Sequence, residues 1–237
     1  AQAKKAAMIN VHPGPEVLFQ EAGTCYDQGD LTRAASLYNE LVNQNYNQFS
    51  VFFNLGNTCF RMGEYGEAIL NFKRALALQP RDHDTLANLR FALESAGSVV
   101  PQPNIITRML QILTFNEWIA AASVLWIALA LFTIIYIMKP DLQPALLRIL
   151  AINAVLLAIA IAACANGFML QHQKEAVIIA KSPTAHSAPL SDSTTLFKLP
   201  EGSVVRIIGT SGEWINIDAS GQHAWINKKD CAAVALQ

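Results

Sequence analysis

Asn57, Phe60 and Arg61 stand at spacings of three and four residues, so a helix through them turns all three to one side. The chemistry they offer is recognition. An amide can pair with main-chain groups, and an aromatic ring and a guanidinium are side chains that anchor interfaces. Covalent chemistry has a weaker claim. His12, His83, His172, His186 and His223 are scattered, and none stands one helical turn from a second ligand type. No nucleophile elbow, phosphate loop or dinucleotide fingerprint occurs. Cys25, Cys59, Cys164 and Cys231 lie in different segments, with no disulfide framework and no paired metal-ligand spacing, and read as buried small residues. The sequence is therefore read as non-enzymatic, with no catalytic residue, metal site or cofactor.

The elements that position these residues follow from the hydropathy pattern. The chain has 237 residues, 52% hydrophobic and only 15% charged, against about 25% charged in an ordinary soluble domain. Two uncharged apolar runs, Trp118 to Met138 and Ile149 to Leu170, explain the deficit. Each is just over twenty residues long, and at about 1.5 Å per residue each can cross a hydrocarbon core of about 30 Å. The net charge of -1 gives no electrostatic reason to expect nucleic acid. The start at Ala1-Gln2-Ala3 is what signal removal at small residues leaves, though an engineered start would look the same. Residues 1–14 are taken as an extension left by that processing.

Residues 15–48 laid over 49–82 repeat the same classes at a period of 34. Cys25 falls on Cys59, Gly29 on Gly63, Asp30 on Glu64, Ala34 on Ala68 and Tyr38 on Phe72. The second copy, with Phe52, Leu55-Gly56, Cys59, Ala68, Phe72, Ala75 and Pro80, resembles the tetratricopeptide pattern. In the first copy Glu21-Ala22 replaces Leu-Gly and Leu41 the later Ala. Gly56 and Ala68 allow two helices to approach, Phe72 and Ala75 fill the groove, and Pro80 ends the second helix. Asp82 or Asp84 can cap a further helix over 83–95, with Leu86, Leu89 and Leu93 as its apolar face. Residues 15–97 are thus expected to be two repeats and a capping helix. The resemblance implies a concave face lined by the first helices, with Phe19, Gly23, Tyr26, Phe53, Asn54, Asn57, Phe60 and Arg61 available to hold an extended peptide. The alternative is that some of these aromatics only pack against a neighbouring helix.

Residues 98–117 hold Pro101-Gln102-Pro103, which ends the repeats, and an amphipathic stretch. There Ile105, Ile106, Met109, Leu110, Ile112 and Leu113 form an apolar stripe beside Arg108 and Gln111, suited to a bilayer interface. Trp118, Trp126 and Tyr136 supply aromatics, two of them near the ends of the first span. The spans, 118–138 and 149–170, are joined by 139–148 with Lys139, Asp141 and Arg148, and the cations favour a cytoplasmic link. No ionisable residue lies within either span, which argues against an ion pathway. Ala154, Ala158 and Ala162 recur every four residues, either as a packing face or because alanine tolerates the bilayer, and Asn153 and Asn166 could add hydrogen bonds between helices.

From 175 to 237 short apolar runs alternate with turns. Strands are expected at Ala176–Ala180, Thr195–Leu199, Val204–Gly209, Trp214–Asp218, His223–Ile226 and Cys231–Ala235, closed into a small barrel, with 181–194 as an irregular loop. Lys181-Ser182-Pro183, Leu199-Pro200-Glu201-Gly202-Ser203-Val204-Val205, Gly212-Glu213-Trp214-Ile215-Asn216-Ile217 and Gly221-Gln222-His223-Ala224-Trp225-Ile226 resemble the bacterial SH3 pattern. Ala224 departs from it, standing where glycine usually precedes the second tryptophan. The resemblance implies a domain of a kind that often binds peptidoglycan peptides or cell-wall polymers. Trp214 and Trp225 are ligand candidates on that reading and core residues on the other.

The expected fold class is therefore a multidomain α plus β membrane protein: a helical tetratricopeptide array, a transmembrane helical hairpin and an SH3-like β-barrel. This order, with Leu113-Thr114-Phe115-Asn116-Glu117-Trp118 before the first span, resembles the BatE proteins of bacterial aerotolerance operons. The resemblance implies an adaptor or scaffold in an envelope complex with MoxR-type ATPases and membrane-anchored von Willebrand factor A proteins. Both soluble parts would be periplasmic and anchored in the inner-membrane bilayer. The alternatives are a peptidoglycan sensor or anchor acting through the SH3-like part, and an accessory subunit of an envelope hydrolase or chaperone.

Overall fold

The structure is a computed structural model describing residues 14–98, 105–110, 112–219 and 221–235. The extension up to residue 13, His12, Gln111 and the Pro101-Gln102-Pro103 segment lie outside the described residues. The chain divides into two compact units, one holding the residues up to 100 together with 174–237, the other 101–173.

The first unit opens with five helices: α1 (Pro15–Gln28), α2 (Leu31–Asn43), α3 (Phe49–Met62), α4 (Tyr65–Leu78) and α5 (His83–Ser95). The 34-residue period becomes structural equivalence. Gly29 and Gly63 end α1 and α3 in the left-handed conformation, with φ of 84° and 78°. Ala34 and Ala68, Tyr38 and Phe72, and Cys25 and Cys59 are buried in one core. A Cβ on Gly56 would lie 2.7 Å from the Phe72 ring, so glycine there lets α3 and α4 approach. Asp82 caps α5, its carboxylate accepting from the Thr85 amide at 2.8 Å. Of the expected leucine stripe of α5, Leu93 is buried and Leu89 packs partly buried against the helical core. Thr85, Ala92 and Leu93 are buried and Leu86 is exposed, because α5 is covered by α4 along one side only.

The second half of this unit is a sheet of β1 (Glu175–Ile178), β2 (Thr184–His186), β3 (Thr195–Lys198), β4 (Val204–Ser211), β5 (Trp214–Ala219), β6 (Gln222–Asn227) and β7 (Cys231–Ala233). The strands run antiparallel in the order β3-β2-β6-β5-β4-β1-β7. The sheet is open, not the closed barrel expected, since β3 and β7 are edges that do not pair with each other. The segment 181–194 is also not loop throughout. It contributes β2, three residues long and bulged against β3, too short to show a period. Alternation sorts the sheet into two faces. Ala176, Ile178, Val205, Ile215, Ile217, Ala224 and Ile226 form the sheet's own core. Val177 and Val204 point the other way, into the helical core.

Helix array and sheet therefore share a boundary built on α4. Gly66, Ile69, Lys73 and Arg74 occupy one face of α4, opposite the Ala68, Phe72 and Ala75 face turned to α3. Lys73 pairs with Glu175 at 2.6 Å. Arg74 donates to the carbonyls of Ala233 at 2.9 Å and Val234 at 3.4 Å, covering the main chain of edge strand β7. The α4 N-cap, Glu64, makes no side-chain cap. Glu201, from the β3–β4 turn, replaces it by accepting from the Gly66 amide at 2.8 Å, which also places a negative charge at the helix N-terminus.

The second unit contains α6 (Ile105–Leu110), α7 (Phe115–Met138), a 3₁₀ turn at Pro140–Leu142 and α8 (Gln143–His172). Both α7 and α8 are long and apolar enough to cross a membrane. Thr114 and Glu117 form a capping box at the start of α7, with Thr114 N–H donating to Glu117 at 2.7 Å. Trp118 Nε1 donates to the Leu110 carbonyl at 2.8 Å. The two long helices pack together, but not through the alanine stripe. Ala154, Ala158 and Ala162 are exposed, whereas Leu146, Asn153, Leu157, Ala160 and Ala163 are buried. The buried set follows a three–four spacing, which holds one side of a helix against a neighbour better than a strict spacing of four. Asn153 lies on that face, and its Oδ1 has no hydrogen-bond partner among the described residues, so the bond expected of it is not formed by that atom.

Candidate functional site

Helices α1 and α3 carry the eight array residues singled out from the sequence, and most of their side chains already have partners. Arg61 lies 4.5 Å above the centre of the Tyr26 ring and donates to the Tyr26 carbonyl at 3.2 Å. It thus ties α3 to α1 while remaining exposed. Asn57 Oδ1 accepts from Asn88 Nδ2 at 2.9 Å, tying α3 to α5. Burial pushes the Tyr38 phenol up, and Asn54 beside it pulls it partly back. Phe19 packs edge-on to Tyr38 at 5.8 Å, Phe53 lies 6.4 Å from Phe72, and Phe60 lies 5.7 Å from Tyr65. All four aromatics of the set are partly buried against the helical core. The structure gives them packing roles and leaves their remaining surface on one face with the Arg61–Tyr26 pair and Asn57. Arg61 bridges α3 to α1 and Asn57 bridges α3 to α5. Asn88 lies 34 residues after Asn54, not after Asn57, so the repeat register gave no signal for this bond.

Trp214 and Trp225 stand on the sheet face opposite its core, since Ile215, Ala224 and Ile226 alternate with them. Register places Gly209, Asn216, Trp225 and His186 in one row across β4, β5, β6 and β2. His186 is held from both sides, by Thr184 Oγ1 and the Ser193 carbonyl, each at 3.2 Å, and packs edge-on to Trp214 at 5.4 Å. Asn216 Oδ1 has no partner among the described residues, and a Cβ on Gly209 would meet nothing within 4 Å. The row ends at Gly209 in open space beside Asn216, two strands from the partly buried Trp225. Sequence reasoning had Trp225 and Trp214 but not His186 or Asn216, because β2 was read as loop and register is invisible without pairing.

Catalytic chemistry finds little support in these groups. Burial pushes the Cys59 thiol up to about 12 and the Cys231 thiol up to about 11, away from a reactive thiolate. Among the described residues no cluster of three or more His, Cys, Asp or Glu could hold a metal ion.

Comparison with known proteins agrees with the helical geometry. Residues 49–82, which span α3 and α4, match the tetratricopeptide repeat family model. A tetratricopeptide repeat is present there. Among solved structures, the crystal structure of MamA is similar at 17% identity and a TM-score of 0.35, covering 67% of this chain and 78% of that one. No curated protein matches the chain.

Proposed function

We propose that this protein is a non-enzymatic adaptor that binds partner proteins through the α1–α3 face of its repeat array and is anchored in a bacterial inner membrane by α7 and α8. The observation that carries the reading is the shared face of Tyr26, Asn57 and Phe60, each partly buried, with exposed Arg61, held in place by contacts between helices α1, α3, α4 and α5. Such pre-organisation lowers the ordering cost of binding. The matched tetratricopeptide repeat supports a protein-interaction role. The resemblance to BatE proteins points to an envelope complex with MoxR-type ATPase and von Willebrand factor A partners, with the SH3-like part on the same, periplasmic side. The test is co-purification from detergent-solubilised membranes. Asn57→Ala with Arg61→Ala is expected to release partner membrane proteins while the chain stays folded by thermal unfolding. Undiminished co-purification from a folded variant excludes this face.

A second reading, a cell-wall anchor, is favoured by one observation: the Trp225–Asn216–Gly209 row with open space at its end. Gly209→Leu fills that space without entering the sheet core. On this reading it abolishes retention on purified peptidoglycan sacculi and leaves partner co-purification unchanged. Unaltered retention rejects it.

A further inference from the structure

Where the sheet meets the ends of α3, α4 and α5 there is a cleft of about 450 Å³, within the roughly 300–1,000 Å³ range of small-ligand sites. Tyr65 and Ser95 line it from the array, and Lys181, Ser182, Pro200 and Glu201 from the sheet. We propose that this cleft binds a carboxylate carried on a small apolar group, either a free small acid or the C-terminal residue of a peptide chain.

The charge assignment follows from which groups are engaged. Glu201 Oε1 is committed to the Gly66 amide at the start of α4. Lys181 is exposed and makes no ion pair with any described residue. Glu201 keeps its negative charge but turns it to the amide end of α4, so the ionic group in the cleft left for a ligand is the Lys181 ammonium, and its complement is an anion. The Tyr65 ring, fixed by its packing on Phe60 at 5.7 Å, and the Pro200 ring give apolar walls that suit a short aliphatic stem. Ser95 and Ser182 add hydroxyls that can donate to the second carboxylate oxygen. The backbone supplies an independent mark. Ser182 has φ of 61°, one of only two non-glycine residues with positive φ among those described. Such conformations persist where surrounding structure enforces them and concentrate at binding sites. Lys181-Ser182-Pro183 belongs to the segments that resemble the bacterial SH3 pattern, but it lies in neither of the two faces described above. Because the walls come from both array and sheet, a bound ligand stabilises their association by linkage.

The experiment titrates the full chain in detergent with N-acetyl-Ala-Ala-Ala as free acid, with its C-terminal amide, and with N-acetylalanine. Binding is followed by calorimetry and by the shift in thermal unfolding. The free acid is expected to bind and to raise the unfolding temperature, and the amide to bind about tenfold more weakly or worse. Lys181→Gln is expected to lower affinity for the acid about tenfold and to leave the amide little changed, with Lys181→Arg restoring most of it. Ser95→Leu, which fills the cleft from the array side, is expected to abolish binding of the acid. Tighter binding of the tripeptide than of N-acetylalanine assigns the site to chain ends, and equal binding assigns it to free small acids. Equal binding of acid and amide, no binding at millimolar concentration, or no effect of Lys181→Gln in a folded protein overturns the proposal. None of these outcomes bears on the α1–α3 face, which is read by co-purification.

Discussion

Glu67 and Arg74 stand two turns apart on α4, and burial acts on them in opposite directions. It pushes the Glu67 carboxyl up, with Arg74 pulling partly back, and it lowers the Arg74 guanidinium while leaving that group charged at any working pH. A carboxyl whose folded pKa lies above its unfolded value binds more protons when folded. Its contribution to stability is then present at low pH and is lost as pH rises from the unfolded to the folded value. Glu67→Gln is expected to flatten that loss, so the variant gains on the parent in denaturant unfolding as pH is raised from about 4 to 7. A parallel pH dependence of the two proteins would show that Glu67 does not feel its surroundings in this way. At Arg61 the expectation is a cost. Removing the stack on Tyr26 and the bond to its carbonyl by Arg61→Ala should destabilise the array by roughly 0.5–1.5 kcal/mol, whereas Arg61→Lys recovers only part. Identical chevron or melting behaviour of Arg61→Ala and the parent would mean the stack contributes nothing in solution. At this scale the sequence disclosed which residue types recur, such as Gly29 with Gly63. It did not disclose partners, because a bond such as Asn57–Asn88 joins helices whose rotation only the packed array sets.

Helix α4 shows what periodicity does and does not reveal about an element. Ala68, Phe72 and Ala75 were read as the groove face, and they are fully buried. Ile69 and Leu70 are equally apolar, and a helix apolar on two sides needs two covers. The second cover is the sheet, which arrives about a hundred residues later in the chain. No local pattern announces such a long-range pairing, and Gly66 and Glu201 become intelligible only once it exists. A Cβ on Gly66 would lie 2.6 Å from the Ile178 carbonyl oxygen and 2.9 Å from the Ile179 Cα, both backbone atoms that cannot swing aside. Gly66→Ala is therefore expected to loosen the sheet from α4, although in an isolated helix the same change would stabilise by up to about 1 kcal/mol. Glu201→Ala leaves the Gly66 amide without its cap, a loss of about 1 kcal/mol. Both should speed amide exchange in β1 and α4 more than in α1, and uniform protection would contradict the docking. Ala68→Leu acts on the opposite face. Overpacking against α3 should cost roughly 1–3 kcal/mol or more, where the exposed change Gln79→Ala costs little. Sheet closure escaped the sequence because turn spacing fixes strand number but not whether the ends meet. The unused alanine stripe of α8 shows likewise that spacing marks a possible face without saying which neighbour takes it.

At the scale of the whole chain, the shared core of array and sheet bears on the membrane topology proposed for α7 and α8. Val177 and Val204 are packed with Ile69 and Phe72 in one cluster, so the segments before and after the long helices belong to one body. One body cannot straddle a bilayer. On the proposed anchoring, α7 crosses the membrane and α8 crosses back, so the 139–148 link is reached from the side opposite to that of residues 79 and 211. Lys139 and Arg148 in that link favour the cytoplasm for it. The buried native cysteines Cys25, Cys59 and Cys231 give a low background for thiol labelling outside the long helices. Cysteines placed singly at exposed Gln79 in the array and Ser211 in the sheet are expected to react with a membrane-impermeant maleimide on intact spheroplasts. A cysteine at Gln143 should react only after permeabilisation. Labelling of position 143 alone would invert the orientation while keeping the paired crossing. Labelling of 79 and 211 from opposite sides would be the graver result, because it is incompatible with the Glu201–Gly66 bond and with any shared core between array and sheet.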